Sequence, residues 1–388
     1  MKKRHIILII LWTIIIGVPL LLRFSWELTP KKPFNVLFVN KSVTDSVSLT
    51  SYATNWVLTH RKYVKPGGSF YDPLEDYIGF FPKEGRNFRV RDLNDKNEET
   101  FHQLAKDLNL VYFADTYGVY AHQWHKNDDK VLPYHKIYGG LSERDLDLIE
   151  NMIANDKMVI AEFNFLTSPS PRVLQERAEQ IFNLRWQGWN GRFMPTLNKA
   201  DTDRVPAWLI DLYEAQNNSD WKFTESGIML VNENEKVVIL EYPKHLQTPV
   251  PEITTTFQHR KNYGIPNRIA YPGWFEVTFP RSRAMEVISW FEIPVNEAGK
   301  AVLEKNNIPD KFPAAFRGIN HPRKFYFAGD FGKTEVPQRF VRFKGSRYLE
   351  LFLTDLRDPT NREGFFFAYY LPLFSSILKE EYELNQDF

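Results

Sequence analysis

The chain has 388 residues, and its 49 lysines and arginines nearly balance its 48 aspartates and glutamates, which leaves a formal net charge of +1. This balance does not favour a nucleic-acid-binding surface, which would require an excess of positive charge. The chain contains no cysteine, and this excludes disulfides, thiolate metal ligands and cysteine nucleophiles.

The N-terminal segment predicts a membrane anchor over residues 1–26. Ile6 to Leu22 is an uncharged apolar run, at the lower limit for a helix that crosses a hydrocarbon core roughly 30 Å thick. Phe24 and Trp26 suit the membrane interface, so the span extends to about Trp26. The alternative is a cleaved signal peptide, but residues 19–24 contain no small-x-small cleavage pattern.

The basic residues at positions 2–4 favour a cytoplasmic N-terminus. We therefore expect a single-pass membrane protein whose main domain is extracytoplasmic. An extracytoplasmic chain without disulfides is more typical of a bacterial cell envelope than of a eukaryotic secretory pathway.

After a linker over residues 27–33, apolar runs and amphipathic segments alternate along the chain. The patterns predict strands over 34–40, 110–115 and 158–164, an ordered loop over 63–82, and a hairpin formed by 227–231 and 236–242. They predict helices over 48–60, 98–107, 142–155, 171–182 and 206–216. This alternation favours an α/β fold with a mostly parallel sheet and helices on both faces.

The composition changes over residues 243–312, where prolines and the aromatic runs 271–279 and 287–293 predict a β-rich insertion with a short helix over 297–305. A strand over 324–330 and an aromatic-rich helix over 364–379 follow. We therefore expect one α/β core over residues 34–242 that the C-terminal part, residues 313–388, completes.

The order of these elements resembles the class I glutamine amidotransferase-like superfamily. The resemblance is carried by the strand at Phe34, the strand Met158–Asn164, and the strand Arg323–Asp330 with the final helix. It covers 34–242 and 313–378, and it is to the non-glutaminase, trehalose-utilisation-type branch. It implies a flavodoxin-like sheet. The glutaminase branch needs a cysteine after its central strand, and this chain has Phe165-Leu-Thr-Ser-Pro there, so glutaminase activity is excluded.

In open α/β sheets, ligands bind beyond the carboxyl ends of the strands. The residues expected at this edge are Asn40, Lys41, Asp115, Tyr117, Asn164, Thr167 and Asp330. Glu162 lies two positions before Asn164 on the same strand face, where burial would raise its pKa and suit acid/base chemistry. Glu162, Asp115 and Asp330 are therefore the candidate catalytic residues. The structural alternatives are an arginine partner for Glu162 and turn capping by the two aspartates.

The segment 185–192 combines stacking rings with planar hydrogen-bond donors. Trp186, Trp189, Asn190 and Arg192 are therefore candidate ligand-binding residues, together with Lys41, Tyr117 and Asn164. Sugars and peptides are recognised by such combinations. The alternative is a tight turn packed by its own rings.

Other motifs do not point to a cofactor, and we expect neither a cofactor nor a metal. His122, His125 and His135 lie in a loop-like segment without a fixed third ligand. Ser168 and Ser170 lack the Gly-x-Ser-x-Gly elbow of serine hydrolases.

Three function classes therefore stay open. The first is an anchored binding or accessory protein, for example of envelope glycan metabolism. The second is an anchored carbohydrate-active hydrolase that uses carboxylate acid/base chemistry. The third is a structural subunit of a membrane complex. The expected partners are the lipid bilayer, through residues 6–22, and a glycan or other small molecule.

Overall fold

The computed structural model describes residues 5, 12–44, 51–84, 87–124, 135–167, 169–355 and 357–386. Residues 1–4 and 6–11 of the predicted anchor lie outside these residues, as do His125, Ser168 and the side chain of His122. Within the described part of the chain, no helix has the length and apolar character needed to cross a membrane.

The strands are β1 (Lys32–Pro33), β2 (Val36–Asn40), β3 (Tyr63–Val64), β4 (Tyr77–Lys83), β5 (Asn87–Arg91), β6 (Leu110–Asp115), β7 (Val119–Tyr120), β8 (Lys136–Tyr138), β9 (Met158–Glu162), β10 (Leu184–Met194), β11 (Gly227–Asn232), β12 (Val237–Glu241), β13 (Glu252–Thr255), β14 (Arg268–Ala270), β15 (Trp274–Pro280), β16 (Met285–Glu292), β17 (Lys311–Gly318) and β18 (Lys324–Phe327).

The helices are α1 (Val18–Glu27), α2 (Ser51–His60), α3 (Glu98–Asp107), α4 (Ala121–Trp124), α5 (Glu143–Ala154), α6 (Arg172–Phe182), α7 (Ala207–Asn217), α8 (Phe257–Tyr263), α9 (Glu297–Lys305), α10 (Ser346–Leu353), α11 (Arg362–Phe365) and α12 (Leu371–Leu384). Thr13–Gly17 and Phe366–Tyr370 form π-helical turns that lead into α1 and α12, and Leu93–Asp95 is a 3₁₀ turn.

The largest sheet has ten strands in the order β14-β13-β16-β17-β18-β9-β6-β2-β4-β5. Its centre, from β18 to β4, is parallel, whereas both flanks are antiparallel. The predicted α/β class is confirmed, but the prediction of a mostly parallel sheet is wrong. The reason is that β13, β14 and β16, from the segment predicted as an insertion, extend the central sheet.

A second, four-stranded antiparallel sheet has the order β12-β11-β10-β15. The segment predicted as a possible tight turn lies in its long strand β10, whose register shifts between Trp186 and Asn190. Gly188 at this bulge has φ 81°, a left-handed conformation that glycine adopts readily. The bulge therefore changes which side chains of β10 face the large sheet.

The helix predictions hold where end signals are clear. Asn97 caps α3, and Ser142 forms a capping box with Asp145 at the start of α5.

The predicted loop over 63–82 is wrong in its last part, because β4 pairs there with β2. Gly79 makes this pairing possible, since a Cβ on Gly79 would lie 1.7 Å from the Asn40 carbonyl oxygen.

The folded domain begins earlier than the predicted anchor boundary. Trp26 is buried, donates from Nε1 to the His60 carbonyl at 3.0 Å, and lies under the Lys62 ammonium, which is 3.7 Å from the ring centroid. Lys32 and Pro33, in the predicted linker, pair with β3. Trp26 is therefore a core residue of the domain rather than an interfacial one.

Candidate functional site

The carboxyl ends of the central parallel strands bring a polar cluster together. β2 ends at Asn40, β6 at Asp115 and β9 at Glu162, and Asp330 follows three residues after β18. Strand β15 of the second sheet crosses this edge, because Phe275 bridges to Gly329 and the Glu276 backbone N–H donates to the Ala328 carbonyl at 2.9 Å. The site is therefore a junction between the two sheets.

Glu162 lies inside this junction and is fully buried. Its carboxyl accepts hydrogen bonds from the Tyr112 hydroxyl and from the Gly332 backbone N–H, the latter at 3.0 and 3.2 Å. Tyr112 also contacts the Tyr370 hydroxyl at 2.8 Å. Burial raises the pKa of the Glu162 carboxyl well above its ordinary value, although these two hydrogen bonds lower it. Its hydrogen-bond partners are one tyrosine and a backbone amide, not the arginine considered from the sequence.

Asp330 forms a buried ion pair with Arg362, whose Nη2 lies 3.0 Å from Oδ1. Oδ1 also accepts from the Tyr271 hydroxyl at 2.6 Å and from the Trp274 backbone N–H at 3.0 Å. Gly273 makes room for this carboxylate, because a Cβ there would lie 2.4 Å from Oδ1. Asp330 thus joins β15, α11 and the segment after β18, and its role goes beyond capping a turn.

Asn164 lies in the elbow that follows β9, two residues after the end of the strand. Its φ of 72° is left-handed, a conformation that asparagine tolerates better than most residues. The Asn164 backbone N–H donates to the Glu276 carboxylate at 3.3 Å, and its carbonyl accepts from the Thr116 hydroxyl at 3.0 Å. Its side chain is half-buried and makes two long contacts, with Asp115 and Thr167, both at 3.4 Å. The elbow is thus held by its backbone, which leaves the amide side chain weakly bound.

Glu276 is a third buried carboxyl group, which sequence reasoning missed. It accepts from the Tyr326 hydroxyl and from Thr278 Oγ1, the latter at 3.0 Å. Burial raises the pKa of Glu276 to about 7, although its hydrogen bonds lower it. One feature of the sequence could have identified Glu276, namely that it is the only charged residue in the mainly apolar run of β15. A group of this pKa can exchange a proton near neutral pH.

Asn190, Arg192, Trp274 and Glu276 share one face of the second sheet, because Asn190 pairs with Glu276 and Arg192 pairs with Trp274 across the β10–β15 ladder. The Arg192 guanidinium lies 5.1 Å from the Trp274 ring centroid. Trp274 in turn stacks on Phe163, beside the elbow, with ring centroids 5.9 Å apart. This face therefore packs on the elbow of β9.

Two groups on this face have hydrogen-bonding atoms that no described residue pairs with. Asn190 Oδ1 is buried without a hydrogen-bond partner among the described residues. Arg192 is half-buried, its Nε donates to the Phe193 carbonyl at 3.3 Å, and its terminal nitrogens have no acceptor among the described residues. Unpaired buried polar atoms cost folding free energy, so they commonly mark a bound water, ion or ligand.

Asp115 and Tyr117 form the side of the cluster nearest β2. Asp115 Oδ1 accepts from the Ser42 hydroxyl and from the Tyr117 backbone N–H, each at 2.8 Å. The half-buried Tyr117 ring packs on Tyr120 with centroids 5.1 Å apart. Asp115 thus shapes the turn after β6, which agrees with the turn-capping alternative, and Tyr117 closes that side of the edge.

The structure places Lys41 below the surface. Its Nζ lies 2.5 Å from Asp145 in an ion pair that is almost completely buried, and it donates to the Gly140 carbonyl at 3.1 Å. Asp145 also belongs to the capping box of α5. These contacts fasten the end of β2 to α5.

Trp186 and Trp189 are buried in the main hydrophobic core rather than presented on a loop. Trp186 Nε1 donates to the Trp189 carbonyl at 3.1 Å. The two rings therefore support β10, and the half-buried aromatic ring at the edge is Trp274, whose place in a buried strand gave no sequence signal for a site.

The fold and this edge define an α/β protein with a large mixed sheet and a cluster of buried carboxyl groups beside a polar face. No protein-family profile matches the chain, and no curated protein sequence matches it.

Three solved structures resemble the chain at low sequence identity. A putative ThuA-like protein from Bacteroides uniformis has a TM-score of 0.38 and 9% identity, over 90% of this chain and 93% of its own. A putative ThuA-like protein from Parabacteroides merdae has a TM-score of 0.37 and 12% identity, over 76% and 79%. The glutaminase domain of Trypanosoma brucei CTPS, with bound acivicin, has a TM-score of 0.32 and 7% identity, over 89% and 94%. These likenesses assign neither a family nor an activity to this chain.

Proposed function

We propose that this chain is a membrane-anchored, extracytoplasmic binding protein that takes a small polar ligand, such as a glycan, at the carboxyl edge of its central sheet. The anchor is the apolar run over residues 6–22, with a cytoplasmic N-terminus. In this proposal the polar face of β10 and β15, defined by Asn190, Arg192 and Trp274, forms the binding surface together with the elbow at Asn164.

The proposal rests on hydrogen-bonding atoms of this face that have no partner among the described residues. Among the described residues Asn190 Oδ1 is an acceptor without a partner, and Arg192 offers donors from its terminal nitrogens. A sugar hydroxyl both donates and accepts, so one hydroxyl pair can bind both groups. The half-buried Trp274 ring provides an apolar surface for the C–H groups of a sugar.

The state of the candidate catalytic carboxyl groups favours binding over hydrolysis. Glu162 and Asp330 are buried, and their oxygens accept hydrogen bonds from the protein itself. A general acid or base must come within hydrogen-bond distance of its substrate. These two groups would first have to lose internal partners before they could do so.

A carbohydrate-active hydrolase is the second candidate, and one observation favours it. Glu276 lies beside the elbow with its pKa raised by burial to about 7, the range suited to proton transfer at neutral pH. In that case Glu276 would act together with Glu162, Asp115 or Asp330.

A glycan array and a glycosidase panel, run on the full chain in detergent micelles, separate the two candidates. We expect binding without turnover, and we expect Asn190→Ala and Arg192→Met each to weaken it about 10- to 100-fold, because each removes a hydrogen-bonding group at the proposed ligand surface. Arg185→Met is the matched control, since Arg185 is exposed on the same strand and should leave binding unchanged.

Turnover that disappears in Glu276→Gln would favour the hydrolase instead. If the array gives no binding, or if Arg192→Met binds as well as the wild type, the polar face is not the ligand site. A search for membrane protein partners would then follow.

A further inference from the structure

Helix α10 presents an apolar face that the domain does not cover. Ser346 and Glu350 point inward and are fully buried, whereas the side chains of Tyr348 and Phe352 are 74% and 88% exposed. Residues four positions apart lie on the same face of a helix, and the exposed Leu353 adjoins this face. A phenylalanine as exposed as Phe352 contributes little to the packing of its own domain.

This face lies next to the C-terminal end of α1. The Lys344 backbone N–H donates to the Leu22 carbonyl at 3.1 Å, and Arg23 donates to the Arg342 carbonyl at 3.3 Å. Helix α1 itself exposes the large apolar side chains of Leu20, Leu21 and Phe24, and Leu28 just after its end is also exposed. The apolar surface of α10 is therefore close to that of the segment in which the predicted anchor ends.

Shared neighbours fix α10 and α1 relative to each other. His60 accepts from Trp26 through its carbonyl, and its ring contacts the Val341 carbonyl at 3.0 Å and the Ser346 hydroxyl at 3.2 Å. All three contacts are buried, so the two helices are held by one packed region.

The charges around this face suit an anionic surface. Arg342 and Lys344 are exposed immediately before α10, and Asp355 is exposed after it. The acidic residue within the helix, Glu350, is buried and paired with Arg339 at 2.8 Å. The exposed charge beside the apolar rings is thus mainly positive, as in helices that bind the interface of membranes with anionic lipids.

We propose that α10 is a second membrane contact, whose Tyr348, Phe352 and Leu353 side chains enter the interface of a bilayer that contains anionic phospholipids. The inference deepens the proposed function and rests on its membrane anchor. It fixes the orientation of the domain, which a single flexible tether would not do. The amino ends of the parallel strands, where Lys32 lies beside Lys62, then face the membrane. The polar face lies farther out by the length of a five-residue strand, about 15 Å.

The absence of cysteine allows a direct test, because one introduced cysteine is the only thiol to react. Phe352→Cys, Leu20→Cys and Val173→Cys in the full chain would each carry an environment-sensitive fluorophore, in vesicles of phosphatidylcholine and phosphatidylglycerol with spin-labelled lipid as quencher. Val173 is the matched control, since it is 72% exposed but lies in the first turn of α6, at the opposite edge of the sheet.

We expect lipid quenching at positions 20 and 352 and none at position 173. Quenching at 20 without quenching at 352 would leave the anchor intact and overturn the inference. The absence of quenching at position 20 would overturn the anchor itself. A blue-shifted but unquenched label at 352 would show that protein, such as a second copy of this chain, covers α10, and this too would overturn the inference.

Discussion

Replacing Glu276 with glutamine should change how the stability of this protein depends on pH. Burial raises the pKa of Glu276 from 4.5 to about 7 in the folded chain. Between these two values the folded chain holds a proton that the unfolded chain has released. The free energy of unfolding contributed by Glu276 is therefore fully present below about pH 4.5 and is lost as the pH rises to about 7. Since one pKa unit corresponds to about 1.4 kcal/mol, the loss is about 3 kcal/mol.

Glutamine does not titrate, so Glu276→Gln should lack this loss. Compared with the wild type, the variant should gain about 3 kcal/mol of relative stability between about pH 4 and about pH 8. The amide can weaken the hydrogen bond from the Asn164 backbone N–H, at a cost of roughly 1 kcal/mol. This cost applies at both pH values, and it cancels when the two differences are compared.

Urea unfolding of the full chain in detergent, followed by tryptophan fluorescence across this pH range, measures the effect. Glu304→Gln serves as control, because Glu304 is an exposed residue of α9 and its replacement should leave the pH dependence unchanged. A difference between Glu276→Gln and the wild type that stays constant with pH would refute the reasoning. It would also remove the basis for Glu276 as a proton donor near neutrality.

Three further substitutions test the contacts of the site by urea unfolding. Glu162→Ala should lower the free energy of unfolding by about 3 kcal/mol more than Glu162→Gln, because alanine leaves two buried donors unpaired and a cavity behind. Arg362→Met should cost about 3–5 kcal/mol, since the buried Asp330 loses its cation, and adding Asp330→Asn should recover part of this loss. Gly273→Ala should cost about 2 kcal/mol, because its Cβ would overlap Asp330, whereas Gly67→Ala, with no atom within 4 Å of the new Cβ, should be nearly neutral.

Local signals predicted most of the helices, but the direction of the outer strands depends on distant pairings. α3 and α5 carry caps that are visible in the sequence. Strand β4 carries Gly79 and Pro82, which weaken a strand pattern, and only its pairing with β2 shows why glycine is needed. The antiparallel strands of the insertion join the central sheet through β17 and β18, a pairing that their composition does not reveal.

Only part of the candidate site could be predicted from the sequence, because some of its residues come from distant segments of the chain. The rule that ligands bind beyond strand ends located Asn164 and Asp330, because each follows its own strand directly. Glu276 and Arg362 reach the same place from elsewhere in the chain, and Glu276 is 112 residues from Asn164. The burial of Trp186 and Trp189 in the core was not visible in the sequence, because it depends on the register shift of β10 at Gly188.

The buried carboxyl groups explain how the proposed binding face can be held rigid without disulfides. Glu276 accepts the Asn164 backbone N–H and so stabilises the left-handed elbow. Asp330 accepts the Trp274 backbone N–H and so fixes the ring that lies against Arg192. A ligand at this face would therefore contact groups whose positions are already determined, which lowers the entropy cost of binding. On this reasoning we expect Asp330, which the sequence predicted as catalytic, to act as a positioning residue, so that its loss weakens ligand binding together with stability.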